Sequence, residues 1–185
     1  MRSLTAQLED TRSRLDQLAM VDSLTDLVNR RGLERVLQIE VNRAKRGGSP
    51  MVAMLLNCDN FKRLNDVLGH AVGDVALKEM VQRITGTLRP SDYVARVGGD
   101  EFVVLLTDTQ FAEAMMIAER VRLAVAESPI RNSLDTIQMT ASIGVASVPY
   151  EVNSVEEILS LTRHALKRSK GGGKNRVSSS DYVTG

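Results

Sequence analysis

Residues 51–58 read MVAMLLNC, a continuous apolar run of strand length. A run with no polar alternation fits a strand covered on both faces, at the centre of a sheet. Two further β-rich runs, 93–97 and 102–106, are separated by Gly98-Gly99-Asp100-Glu101, which predicts a hairpin with a four-residue tip. Helical periodicity is expected over 30–46, 72–89, 111–127 and 154–170. The breakers Gly47-Gly48-Ser49-Pro50, Pro90 and Gly171-Gly172-Gly173 follow three of these segments. Residues 136–148 read as one more strand. A hairpin amid alternating helices and strands rules out an all-parallel sheet. The expected fold class is α/β (α+β), a mixed, mostly antiparallel central sheet flanked by helices.

Composition narrows the function classes. A chain of 185 residues is one domain with a short appendage. The 24 basic and 23 acidic residues leave a net charge of +1, so no overall field favours nucleic acid or a membrane surface. Three Phe, three Tyr and no Trp supply little for base stacking. No apolar stretch reaches bilayer length, and the N-terminus lacks a signal-peptide core. The single cysteine, Cys58, excludes an internal disulfide framework and a multi-cysteine metal site. Together these features predict a cytoplasmic location. Within residues 1–22, Leu4, Leu8, Thr11, Leu15, Leu18 and Asp22 form an a/d seam. It reads as a dimerising helical stalk, or as a helix lying on its own domain. Residues 23–177 form the domain, and 178–185 read as a disordered tail.

Polar groups crowd the exit of the 51–58 strand: Asn57, Asp59, Asn60, Lys62 and Asn65, then His70 and Asp74. Ligands tend to sit at such strand ends. A turn at 60–62 offers free backbone N–H groups and Lys62 adds a cation, and both suit a phosphate chain. Asp74, acceptor-only when ionised, can take both donors on the edge of guanine. Asp100 and Glu101 on a rigid hairpin can hold a divalent cation against phosphates. Lys167, Arg168, Lys170, Lys174 and Arg176 close the last helix, where cations complement the dipole or clamp a triphosphate. Arg89-Pro90-Ser91-Asp92 is by itself an ordinary helix-end turn. Caps, turns and surface charge explain each of these singly; their coincidence is harder to explain.

The ordered set of motifs resembles the GGDEF family of diguanylate cyclases. The blocks are Asp22-Ser23-Leu24-Thr25 with Asn29-Arg30-Arg31, Phe61-Lys62 with Asn65-Asp66, Gly69-His70, Gly73-Asp74 and Arg96-Val97-Gly98-Gly99-Asp100-Glu101-Phe102. Ser142-Ile143-Gly144 and Lys174-Asn175-Arg176 complete them. The resemblance implies a fold like the polymerase palm and the class III adenylyl cyclase core. It implies condensation of two GTP to cyclic di-GMP with release of two pyrophosphates, across a homodimer joined through the N-terminal helix, with an upstream sensor as input. It also implies a cofactor, Mg²⁺ or Mn²⁺, held by Asp100 and by the backbone carbonyl of Cys58. Asp100 would help activate the 3′-hydroxyl and Glu101 would sit at the reacting ribose. Asn60, Phe61 and Lys62 would cradle the phosphates, and Lys62 would stabilise the transition state. Asn65 and Asp74 would read guanine, His70 would line that pocket, and Lys170 and Lys174 would hold the triphosphate. Arg89 and Asp92 match the family's RxxD product-inhibition site and Arg120 its second arginine.

The chain departs from this pattern at position 57, where the family's first metal carboxylate is here Asn57. Loss of one charge about 4 Å from a cation costs on the order of 4 kcal/mol at an effective dielectric near 20. Asn57 is therefore a weak metal ligand, and impaired turnover is expected. Asp59, roughly 6–7 Å along the strand on the same face, is a candidate substitute. The alternative reading is a catalytically degenerate module that binds GTP or cyclic di-GMP as a sensor. Thr162-Arg163, Lys167 and Asp26 also depart from the family's usual residues, and bear on local packing.

Overall fold

A computed structural model describes residues 19–131 and 136–180. The stalk expected over 1–22 thus lies outside the described residues except at its last four positions.

Eight strands and five helices occupy the described residues: β1 Val28–Asn29, α1 Arg30–Gly47, β2 Val52–Cys58, α2 Phe61–Leu68, α3 His70–Thr85, β3 Tyr93–Arg96, β4 Glu101–Leu106, α4 Phe111–Ala126, β5 Ile130–Arg131, β6 Thr136–Ile137, β7 Ala141–Ser147, α5 Val155–Gly171 and β8 Val177–Ser179. The main sheet runs β1-β3-β4-β2-β7-β8. β2 pairs antiparallel with β4 and β7, β3 pairs antiparallel with β4, and the two edge strands pair parallel. The sheet is mixed with an antiparallel centre, and β2 is that centre, as its apolar run requires.

Every residue of β2 is buried, because the sheet is covered on both faces. Val52, Met54, Leu56 and Cys58 join Leu77, Met80 and Ile84 of α3 and Ile117 and Val121 of α4. Ala53 and Leu55 face the other way, into Leu33 and Leu37 of α1 and Ile158 and Leu159 of α5. This period-2 alternation places Asn57 on the α1/α5 side, where the apolar run ends.

Two sequence expectations are corrected. The helix expected over 72–89 is preceded by the separate α2 and ends at Thr85, where the Thr87 hydroxyl donates to the Ile84 carbonyl at 2.7 Å. The strand expected over 136–148 is two strands, β6 and β7, interrupted at Gln138–Thr140. Of the residues expected to form a tail over 178–185, Ser178 and Ser179 pair with Gly144 and Val145 of β7. Residues 181–185 lie outside the described residues.

Asp26, where the family commonly has Gly, adopts φ 58 and donates its N–H to the Asp22 carbonyl at 2.9 Å. Buried Thr162 donates its hydroxyl to the Ile158 carbonyl at 2.8 Å, so its polar atom is satisfied inside α5. The helix lies so close to β7 that a Cβ on Gly144 would meet Leu166 N at 2.4 Å and Thr162 O at 2.5 Å. Both are backbone atoms and cannot swing aside. Gly144→Ala should therefore destabilise the fold by about 3 kcal/mol, the upper end of ordinary overpacking. Urea denaturation measures this, and an unshifted midpoint would show that the contact is slack.

Candidate active site

The site is built where β2 ends against the β3–β4 hairpin. Asn57 stands directly opposite Glu101 on β4 and Ser142 on β7, so the three side chains share one face. Cys58 N–H donates to the Asp100 carbonyl at 3.1 Å, and the Asn57 amide lies 3.5 Å from the same oxygen. The Glu101 side chain folds back over Gly98, where an added Cβ would come within 3.3 Å of its carboxylate. Arg96 grips the tip by donating to the Gly99 carbonyl at 2.7 and 3.1 Å. The same guanidinium pairs with Asp22 at 3.0 Å, and Asp22 also accepts from the backbone and hydroxyl of Thr25. Burial pushes the Asp22 carboxyl up, but the bonds from Thr25 and Arg96 outweigh it and leave the group below its usual value. The hairpin tip is thereby tied to the chain's entry into the domain. By sequence Asp22 closes the a/d seam and Arg96 only opens the hairpin motif; their pairing joins segments 74 positions apart.

Asn60 opens α2 in the left-handed region, φ 59, and makes no side-chain cap. The first helical bond runs from Leu64 N–H to the Asn60 carbonyl. The amides of 61–63 therefore have no helical acceptor and suit an anion. Lys62 is exposed on this first turn, whereas the Phe61 ring packs against the core. From the turn after α5, Lys174 donates its ammonium to Asn60 Oδ1. Lys170 is exposed in the last turn of α5. Asn65 leans onto α3 so tightly that a Cβ on Gly73 would sit 1.9 Å from Asn65 Oδ1. That oxygen is buried and has no hydrogen-bond partner. Asp74 follows Gly73 and is exposed, as is His70 at the start of α3. Lys174 thus reaches the start of α2 at Asn60, and Asn65 packs on Gly73, the residue before Asp74.

Asp59 does not join the metal donors. Its carboxylate is taken by Thr140, Ser142 and the backbone N–H of Asn175, at 2.6–2.9 Å. These three bonds count against Asp59 as the candidate substitute for the missing carboxylate. Cys58 is buried, and burial, with the Asp100 and Asp59 charges, pushes its thiol up to about 12, so it stays protonated and unreactive. No group of three or more His, Cys, Asp and Glu side chains forms a metal cluster among the described residues. The candidate donors, the Asp100 carboxylate, the Cys58 carbonyl and the Asn57 amide, are all hard oxygens. They fit a small divalent cation that completes its shell with phosphate and water.

A second cluster surrounds the α3–β3 turn. Asp92 Oδ2 accepts from Arg89 N–H at 3.0 Å, while Asp92 Oδ1 is buried without a partner. The Arg89 guanidinium pairs with Glu113 on α4 at 2.6 Å. Arg120, two turns along α4, donates to the Thr87 carbonyl at 2.6 Å. The turn and α4 thus bring Arg89, Asp92 and Arg120 to one surface.

Residues 19–176 match the family described as diguanylate cyclase, GGDEF domain. The chain belongs to the GGDEF family. Over 163 residues this GGDEF domain is 39% identical to the response regulator PleD of Caulobacter vibrioides, covering 87% of this chain and 36% of PleD. It is 40% identical to the cyclic di-GMP phosphodiesterase NbdA of Pseudomonas aeruginosa, covering 96% of this chain and 22% of NbdA. The chain therefore spans about a third or less of these curated relatives. Among solved structures, the coiled coil and GGDEF domain of DgcB from Caulobacter crescentus, in complex with c-di-GMP, superposes with a TM-score of 0.80. That match is 28% identical and covers 95% of this chain and 94% of the other. The palm-like arrangement expected from the sequence is thus the fold of this domain.

Proposed function

We propose that this GGDEF domain is a diguanylate cyclase that condenses two GTP to cyclic di-GMP across a homodimer. The observation that carries the reading is Asn65 Oδ1, buried without a partner against Gly73, the residue before Asp74. An orphaned buried acceptor costs stability unless a ligand donor meets it. Guanine offers such donors, and Asp74 supplies a second acceptor. Asn60, Lys62, Lys170 and Lys174 then receive the triphosphate, with Phe61 contributing its backbone rather than its ring.

Each 3′-oxygen attacks the α-phosphorus of the nucleotide on the other subunit, pyrophosphate leaves, and the 3′-hydroxyl proton is released. Two attacks close the ring. Asp100 receives the proton at the hydroxyl and Glu101 stands beside the ribose. Lys62 meets charge developing on the transferred phosphoryl group. Asp100, the Cys58 carbonyl and, weakly, Asn57 would hold a divalent cation, Mg²⁺ or Mn²⁺, which would supply positive charge against the phosphates. Facing half-sites make alignment a large part of the rate. A helical stalk over residues 1–22, driven by an upstream sensor, would set that alignment, in a cytoplasmic protein. The coiled coil of the DgcB structure supports this arrangement. Incubation of the dimeric protein with GTP and Mg²⁺ or Mn²⁺ should yield cyclic di-GMP. No product, even from an Arg89→Ala form freed of inhibition, would sink the reading.

Asn57 and the match to a protein named a phosphodiesterase favour a second reading, a GGDEF module that binds nucleotide without turning it over. Binding of GTP and cyclic di-GMP with no product formed identifies it. Both readings predict that Gly73→Ala displaces the Asn65 side chain, at a modest cost in stability because the Phe61 ring, 3.3 Å from the new Cβ, must also give slightly. They also predict that it weakens GTP binding about tenfold, because the displaced amide loses the base. Unchanged GTP affinity would remove Asn65 from the pocket.

A further inference from the structure

Asp59 is the most constrained carboxylate of the site and has no part in the chemistry above. It is 9% exposed, and each of its oxygens is occupied. Oδ1 accepts from the Ser142 hydroxyl at 2.6 Å, and Oδ2 from the Thr140 hydroxyl at 2.7 Å and the Asn175 N–H at 2.9 Å. Its own N–H donates to the Thr140 carbonyl at 2.9 Å. Asp59 therefore fastens the exit of β2 to the start of β7 and reaches the turn after α5.

That turn is strained. Lys174 and Asn175 are consecutive non-glycine residues in the left-handed region, at φ 63 and 44. Such conformations persist only where surroundings over-determine them, and they concentrate at functional sites. Three other contacts hold this one: Arg122 of α4 donates to Asn175 Oδ1 at 2.9 Å, Lys174 N–H donates to the Ser169 carbonyl at 3.0 Å, and Arg176 donates to the Lys174 carbonyl at 3.2 Å. The outcome is that the Lys174 ammonium crosses to Asn60 at the mouth of the phosphate cradle.

We propose that Asp59 is a positioning residue for the triphosphate: through the Asn175 N–H it holds the strained turn that aims Lys174 at the phosphates. The proposal rests on the GTP-binding reading above. Asp59 contributes hydrogen-bond geometry here rather than charge on a metal. An asparagine can present one oxygen to Thr140 and Asn175, while the Ser142 hydroxyl turns to accept from its amide.

The test is a double-mutant cycle on the full chain. Calorimetry with guanosine 5′-(β,γ-imido)triphosphate and Mg²⁺ would compare the parent, Asp59→Ala, Lys174→Ala and the double variant. Each single change should weaken binding about tenfold, the loss of one charge-assisted contact. The double variant should bind no more weakly than Lys174→Ala alone, since the first change acts through the second residue. Asp59→Asn should stay within about threefold of the parent. Additive losses would overturn the proposal, because a purely structural defect would not depend on Lys174. An Asp59→Asn variant as weak as Asp59→Ala would overturn it too. If Asp59→Ala does not fold, Arg122→Met loosens the same turn from α4. It should cost about threefold in the parent and nothing in Lys174→Ala, and an additive cost would refute the mechanism. A parent that binds no analogue overturns the proposed function itself, whereas a parent that binds without coupling overturns only the role of Asp59.

Discussion

An Asn57→Asp variant should form cyclic di-GMP 10- to 100-fold faster than the parent and reach half-maximal rate at a lower Mg²⁺ concentration. Asn57 is 7% exposed and stands across from Glu101, one residue from the Asp100 carboxylate. A carboxylate there restores one unit charge beside the cation. That charge interacts by about 4 kcal/mol at 4 Å and an effective dielectric near 20. Water and the triphosphate reduce the gain to roughly 1.4–2.8 kcal/mol, which is the stated rate range. The sign reverses without metal. Aspartate opposite Glu101 is a like-charge cross-strand pair, destabilising by roughly 0.2–1 kcal/mol. The variant should thus melt below the parent in chelator and recover when Mg²⁺ is added. Rate assays across a Mg²⁺ series and melting curves with and without the ion check both halves. An unchanged rate with unchanged metal dependence would place the catalytic cation away from position 57.

Arg89→Ala should weaken cyclic di-GMP binding by about 10- to 100-fold, the worth of a charge-assisted bond to a phosphate or base. The observation behind this expectation is Asp92 Oδ1, which is buried and has no hydrogen-bond partner. Arg89 is not idle in the free protein, because Glu113 holds it at 2.6 Å. That pair is largely exposed, so it is worth no more than about 1 kcal/mol. Glu113→Gln should accordingly tighten product binding by up to about fivefold. Calorimetry with cyclic di-GMP reads both variants. No heat from the parent, or equal affinity in Arg89→Ala, would reduce this turn to an ordinary helix terminus.

Much of this was legible beforehand. The β2 run, the hairpin around Gly98-Gly99 and the amphipathic α1, α4 and α5 each carry their signal in consecutive residues. Periodicity and breakers therefore place them to within a few positions. The shortest elements were not legible. β1 and β5 have two residues each and β8 has three, too few for any period, and their partners supply their hydrogen bonds. α2 carries Phe61, Leu64 and Leu68 at helical spacing and packs them on the core, but with eight residues it is too short for that period to stand apart from the turn before it.

For the site, the chain by itself determined which chemical groups are present and in what order: amides, carboxylates and cations at the ends of apolar runs. It also determined the missing charge at position 57, since an amide cannot ionise in any fold. Only the tertiary structure decided how each group is used. Asp59 and Asn57 sit two residues apart with similar prospects, yet one is consumed by Thr140, Ser142 and a residue 116 positions away. Gly73 matters because Asn65 lies against it, and Gly144 because α5 does. Periodicity reports which side of an element is buried. The partner of a buried polar group is set by contacts between distant segments, and those exist only once the chain has folded.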